Sequence, residues 1–292
     1  MKYSSPLIAL AAFFLCVFGA QSRFQTSLQL QEKSNSSVDL VSTIDKLLAD
    51  QAASQADLWK KGDNLDLGDD ESYPTSCLQK DIKHNTTLMV KVSGHGPFPV
   101  LCDCELLGLG WTVIQRRRDG LVNFYRDWND YKTGFGSLGG DFFIGLEKLN
   151  WLTKSHPFEL YIHMENFQGV KKFAKYDEFL IGDESEGFSL KFLGSFTGTA
   201  GDSLTYHKGQ KFSTFDRDND NVKSQNCAQY HIGAWWYDAC LNSNLNGQYL
   251  NYESPITTIS TDVNRYIKWN SFESSKPLKF VQMMIRPKFG CF

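Results

Sequence analysis

The 292-residue chain is 41% apolar and 22% charged, enough apolar material to close a core, which excludes disorder throughout. Its 30 Lys+Arg stand against 33 Asp+Glu, a formal net charge of −3, so the chain has no global electrostatic reason to hold nucleic acid.

Lys2 precedes an apolar run from Leu7 to Phe18, well short of the ~20 residues that span a bilayer. Small Gly19 and Ala20 follow. The pattern predicts a secretory signal peptide over residues 1–20 and a soluble, extracellular mature chain. Phe18 is bulky where cleavage after Ala20 prefers a small side chain, so the cleaved bond stays open. Residues 21–72 are polar, free of cysteine, with Trp59 the one tryptophan. Val41, Ile44, Leu48 and Leu58 offer a seam that Gln51 and Gln55 interrupt, which leaves a solvated stem and a short helix or coiled coil both open. The acidic segment 61–71 reads as a linker into a globular part over 73–292.

Of seven cysteines, Cys16 falls in the leader. Cys77, Cys102, Cys104, Cys227, Cys240 and Cys291 form an even set suited to an oxidising compartment. A zinc site is disfavoured, because no Cys-x-x-Cys is present and the six histidines show no ligand spacing. The sequons at Asn35 and Asn85 are candidate glycosylation sites on a secretory route.

From residue 73 onward the pattern is α+β. Trp111 to Arg117 alternates, and Phe158, Leu160, Ile162 and Met164 form one apolar face against Glu159, Tyr161, His163 and Glu165, so half-buried strands are expected. Phe188, Leu190 and Phe192 repeat the period, Lys279 to Arg286 predicts a last strand stopped by Pro287, and Leu146, Leu149 and Leu152 predict a helix over 146–153.

Gly201-Asp202-Ser203-Leu204 resembles a hydrolase nucleophile segment, but a serine nucleophile needs an oriented base and oxyanion donors. Ser203 reads instead as a turn residue bonding nearby backbone, and the chain is expected not to be an enzyme. The acidic run Asp216-Arg217-Asp218-Asn219-Asp220 places carboxylates at every second residue, a spacing from which a turning loop can direct hard oxygens at one calcium ion. An EF-hand is excluded, because its sixth position is Asn221 rather than Gly and its twelfth is Cys227 rather than Glu. A solvated turn is the competing reading.

Cys227-Ala-Gln-Tyr-His-Ile-Gly-Ala-Trp-Trp-Tyr-Asp-Ala-Cys240 and the following Asn242-Ser-Asn-Leu-Asn-Gly resemble the fibrinogen C-terminal domain family. So do Gly110-Trp-Thr-Val-Ile-Gln-Arg-Arg, Asn123 to Tyr131 and Met284-Ile-Arg-Pro287. The resemblance covers the globular part from about Cys77. It implies a central antiparallel sheet and a loop-rich C-terminal region carrying calcium and a ligand pocket. It also implies Cys77–Cys102 and Cys227–Cys240 disulfides. Cys104 and Cys291 lie outside the pattern; a third bridge between them or an interchain bond would use both. Asp218 and Asp220 match the family's carboxylate ligands for Ca2+, with the carbonyls of Val222 and Ser224, or Gln225, completing the shell. In the lectin branch the neighbouring pocket takes acetyl groups beside an unusual cis peptide, which maps to Ala239–Cys240, with Tyr230 as an aromatic pocket residue. Leu241 stands where many acetyl-binding members carry histidine. Tyr249, Tyr252 and Tyr266 receive no role, and Trp235, Trp236 and Tyr237 read as core aromatics.

Three functions follow. The first is a secreted, calcium-dependent lectin for acetylated carbohydrate or microbial surfaces, as in innate immunity. The alternative is a secreted signalling or matrix ligand for a cell-surface receptor, angiopoietin-like. The third, a serine hydrolase through Ser203, is a formal competitor. No Gly-x-y repeat supports a collagen-like trimer, so any homo-oligomer would use the stem or an interchain disulfide.

Overall fold

Apolar and aromatic runs become thirteen strands among the described residues, which in this computed structural model are 73–78, 82–250 and 262–288. The expected signal peptide and stem, Asn35, Tyr252 and Cys291 lie outside them. In chain order come β1 (Thr86–Val90), β2 (Phe98–Asp103), β3 (Trp111–Arg117), helix α1 (Trp128–Thr133), and the short β4 (Phe135–Gly136) and β5 (Phe142–Phe143). Helix α2 (Leu146–Ser155), β6 (Phe158–Asn166), β7 (Lys171–Tyr176), β8 (Phe179–Ile181), β9 (Leu190–Leu193) and β10 (Phe196–Gly198) follow. Single-turn α3 (Cys227–Tyr230), β11 (Ser243–Asn244), β12 (Lys268–Trp269) and β13 (Leu278–Pro287) complete the order. The main sheet runs β1-β2-β3-β13-β6-β7-β10, all antiparallel, so the last strand is inserted between β3 and β6. Ile285 stands opposite both Leu160 and Thr112.

The period-two reading of β6 gives one core face: Leu160, Ile162 and Met164 are fully buried. The opposite face is less exposed than expected, with Glu159 and Tyr161 also buried. Neighbouring strands supply the reason. Glu159 accepts Lys175 at 2.7 Å and Arg286 at 2.5 Å, while Tyr161 stacks on Phe173 and leans on Trp111. Strand β3, read as half-buried, is enclosed on nearly every residue because β2, β5 and β13 all pair with it. The expected alternation at 188–192 also fails. Phe188 lies outside β9 with φ +46° and is buried, whereas Phe192 is 54% exposed. Helix α2 extends the predicted 146–153 by two residues and buries Leu146, Leu149 and Leu152. It is tied to β8 by Asn150 Nδ2, which donates to the Ile181 carbonyl at 3.0 Å.

The described residues between 200 and 270 make few strand bonds, so buried polar side chains satisfy the backbone instead. Gln115 Nε2 donates to the Leu245 carbonyl at 2.9 Å, and Arg117 Nη1 donates to the Leu245 and Gly247 carbonyls at 3.2 and 2.7 Å. Arg117 is itself enclosed, with its guanidinium 3.7 Å from the Phe124 ring centroid and Nε 3.9 Å from Asp141. Burial pulls its pKa down to about 10 despite Asp141. His207 is wholly buried: Nδ1 donates to the Trp236 carbonyl at 2.7 Å, and Nε2 accepts the N–H groups of Asn242 and Ser243 at 3.2 and 3.1 Å.

Candidate functional site

The acidic loop is closed at its base by Asn226, whose Nδ2 donates to the Thr214 carbonyl at 3.0 Å while its Oδ1 caps α3 through Gln229 N. Within the loop the three aspartates separate. Asp216 turns back into the domain, accepting Trp128 N at 2.9 Å and the Thr214 hydroxyl at 2.7 Å; the every-second-residue spacing therefore delivers two facing carboxylates and not three. Asp218 Oδ1 accepts Asp220 N at 3.2 Å, and Asp220 accepts Val222 N at 2.8 Å and Cys227 N at 2.7 Å. Burial and the adjacent Asp218 raise the Asp220 carboxyl above its ordinary range, against the lowering by those two N–H groups.

Among the described residues no Lys or Arg pairs with either carboxylate; Arg217, between them and Asp216, goes to Glu184 at 3.6 Å and stacks on Trp128. Two adjoining acidic oxygens without a cationic partner fit a hard divalent ion. No cluster of three His, Cys, Asp or Glu side chains is found among the described residues, so the rest of such a shell falls to carbonyls and water. Val222 is half-buried and Ser224 exposed on the same loop.

Cys227 and Cys240 form a disulfide, and the Ala239–Cys240 peptide is cis. Cys77 and Cys102 form the other. Tyr230 ends α3 and is 46% exposed, while Ala239 is exposed and Cys240 half-buried. Trp235, Trp236 and Tyr237 are core residues, as their size suggests. Clefts of about 390 and 610 Å³ open elsewhere, around Lys154, Ser155 and His156, and neither is lined by Tyr230, Ala239 or Cys240.

The residue that organises this region is one the sequence reading missed. Asn244, fully buried, accepts the Tyr237 hydroxyl at 2.8 Å and donates Nδ2 to the carbonyls of His231 at 3.3 Å and Asn264 at 3.0 Å. One amide thus ties the turn after α3 to the 3-10 turn Val263–Arg265. A Cβ at Gly233 would lie 2.8 Å from both Asn244 Oδ1 and the Tyr237 hydroxyl, so only glycine permits that clamp. Arg265 is brought over Tyr230, 5.6 Å from its centroid. The Asn242-Ser-Asn run was visible in the sequence, but its long-range targets were not.

The remaining candidates disperse. Ser203 is buried and shares a 2.8 Å hydrogen bond with the Ser271 hydroxyl, 68 residues away, rather than bonding local backbone. Both ring nitrogens of buried His207 are engaged with backbone, so Ser203 has no base there. Leu241 packs half-buried against the core. Tyr249 donates toward the carbonyls of Arg118 and Lys279, at 3.0 and 2.9 Å. Cys104 has no disulfide partner among the described residues; Asn85 is exposed and its Oδ1 accepts Cys104 N at 2.9 Å.

Over residues 75–288 the sequence matches the family described as fibrinogen beta and gamma chains, C-terminal globular domain. It is 48% identical over 166 residues to fibrinogen-like protein A of Apostichopus parvimensis, covering 56% of this chain and 58% of that one. It is 44% identical over 196 residues to human angiopoietin-related protein 7, covering 67% and 55%. The chain thus spans a little over half the length of these two curated relatives. The fibrinogen-like globe domain of human ANGPTL2 superposes with a TM-score of 0.68 at 42% identity, covering 73% of this chain and 99% of that one. Because the match runs from the first disulfide through the last strand and not over a short motif, the chain belongs to the fibrinogen C-terminal domain family.

Proposed function

We propose that the chain is a secreted ligand of the angiopoietin-like kind, docking a cell-surface or matrix partner through a calcium-braced face that displays Tyr230. As a member of its family it is a ligand-binding protein rather than an enzyme. The observation that carries the reading is the unpaired Asp218–Asp220 carboxylate couple, hydrogen-bonded into the Cys227–Cys240 loop from which Tyr230 emerges. In this proposal Asp218 and Asp220 hold Ca2+ together with the carbonyls of Val222 and Ser224 and water, and the ion fixes the loop that presents the aromatic ring. The 44% identity to angiopoietin-related protein 7 supports the ligand reading. Leu241, which offers the pocket no polar donor, supports it over acetyl recognition. The leader-like pattern over 1–20 supports secretion, and no helix among the described residues is long and apolar enough to cross a membrane. Binding of labelled full-length protein to cultured cells tests this: binding should require millimolar calcium and fall in Asp218→Ala. Unchanged binding in chelator would sink it.

A carbohydrate reading is favoured by a separate observation, the exposed Tyr230 on the Cys227–Cys240 disulfide loop. Calcium-dependent retention on an acetylated resin, with elution by N-acetylglucosamine, separates it from the protein-ligand reading.

A further inference from the structure

Arg217 is flanked in sequence by Asp216 and Asp218, yet its guanidinium carbon lies 3.9 Å from the Trp128 ring centroid and its Nη1 3.6 Å from Glu184 Oε1. Elsewhere in the fold an arginine does pair with the aspartate that follows it: Arg118 Nε is 3.6 Å from Asp119. Neighbouring Cα atoms are only about 3.8 Å apart, so Arg217 can reach Asp218 by turning about its side-chain bonds. Two other elements turn it away. The 3-10 turn Glu184–Glu186 is fixed by a capping box between Asp183 and Glu186 and closed by Gly187 at φ +67°. It aims Glu184 at α1, where the carboxylate accepts Trp128 Nε1 at 3.0 Å and Lys132 Nζ at 2.6 Å. Trp128 meets the acidic run a second time through its backbone N–H, which holds Asp216 at 2.9 Å.

We propose that Glu184 and the Trp128 face form a clasp that retains Arg217, and that by holding this guanidinium off the acidic loop they keep Asp218 and Asp220 open to a divalent cation. A planar guanidinium suits a carboxylate in two-point contact, so a released Arg217 would compete with the ion for the same oxygens and repel it once bound. The aromatic face adds its own attraction for the guanidinium. Glu184 touches no ion and is a positioning residue. The inference rests on the calcium site of the function proposed above, and adds to it the side chain that protects the site from a neighbouring arginine.

The test titrates calcium into the full chain by calorimetry, with Glu184→Gln, Arg217→Gln and the two combined. Glu184→Gln should weaken calcium binding roughly three- to ten-fold, while Arg217→Gln alone and the double variant should both stay within about two-fold of the wild type. A merely structural loss at Glu184 would not be repaired by a second substitution at Arg217. The Arg217 and Glu184 side chains are 42% and 40% exposed, so all three variants should fold and, in chelator, melt near the wild type. Proton spectra without calcium give a second reading: Arg217 side-chain protons should carry upfield ring-current shifts from Trp128 in the wild type and lose them in Glu184→Gln. Unchanged calcium affinity in Glu184→Gln, an equal loss in the double variant, or ring-current shifts that persist without Glu184 overturns the proposal and leaves the calcium site standing. Absence of calcium binding by the wild type overturns both.

Discussion

The Asp220 carboxylate accepts the backbone N–H of Cys227 at 2.7 Å, so one side chain belongs at once to the acidic loop and to the first half-cystine. Anything that alters the charge at Asp220 is felt at the start of α3 and hence at Tyr230.

Calcium should therefore stabilise the protein. With a dissociation constant in the ~10⁻⁴ to 10⁻³ M range of extracellular modules, 10 mM calcium contributes about 1.4 to 2.7 kcal/mol, or a rise in Tm of roughly 3 to 10 °C for a domain of this size. Scanning fluorimetry in calcium and in chelator reads this directly. Asp218→Ala should lose the shift while retaining most of the chelator-state Tm.

The disulfide behind that loop should matter to the same measurement. Replacing Cys227 and Cys240 together by serine should lower stability by about 3 kcal/mol in the chain-entropy picture, and should also weaken the calcium shift. Denaturant titration of the double variant checks the first and fluorimetry the second. A full calcium response in the double variant would separate the ion from the loop.

Buried Arg117 supplies a contrast with its neighbour. Its guanidinium serves two loop carbonyls and lies near Asp141, so Arg117→Ala leaves acceptors and a carboxylate stranded and should cost ~3 to 5 kcal/mol. Arg118, whose side chain is half exposed, should cost no more than ~0.5 kcal/mol when changed to alanine. Comparing denaturant midpoints of the two variants is sufficient.

Acid should destabilise the fold through His207. Burial depresses its pKa to about 4 from 6.5, so the folded ring stays neutral while the unfolded one protonates below 6.5. The stabilisation is complete above pH 6.5 and is lost as pH falls toward 4. Between pH 7 and 5 the loss from this residue is about 2 kcal/mol. His207→Gln, though less stable at pH 7, should show a shallower decline over that interval, measured as the guanidinium midpoint at each pH.

How much of this was legible depended on whether the determining contacts were local. The β6 period gave a strand and its inner face, but Glu159 and Tyr161 are enclosed by Lys175, Phe173 and Arg286 from β7 and β13, strands the local pattern cannot align. The Cys227–Cys240 loop and the core role of Trp235 and Trp236 followed from residue type and resemblance. Asp216 did not. Its spacing equals that of Asp218, and the distant Trp128 N–H, on the start of α1, draws it away together with the Thr214 hydroxyl. Arg265 had no signal, since a three-residue turn carries no period and its neighbour Tyr230 is far off in sequence.

The reach of Gln115 and Arg117 from β3 to the carbonyls of Leu245 and Gly247 has a last consequence. These two side chains stitch the earliest third of the domain to its latest, so the recognition surface has no autonomous existence. A fragment beginning near residue 200 would carry every proposed contact residue and still fail to fold, whereas calorimetry of the intact domain should record a single cooperative transition.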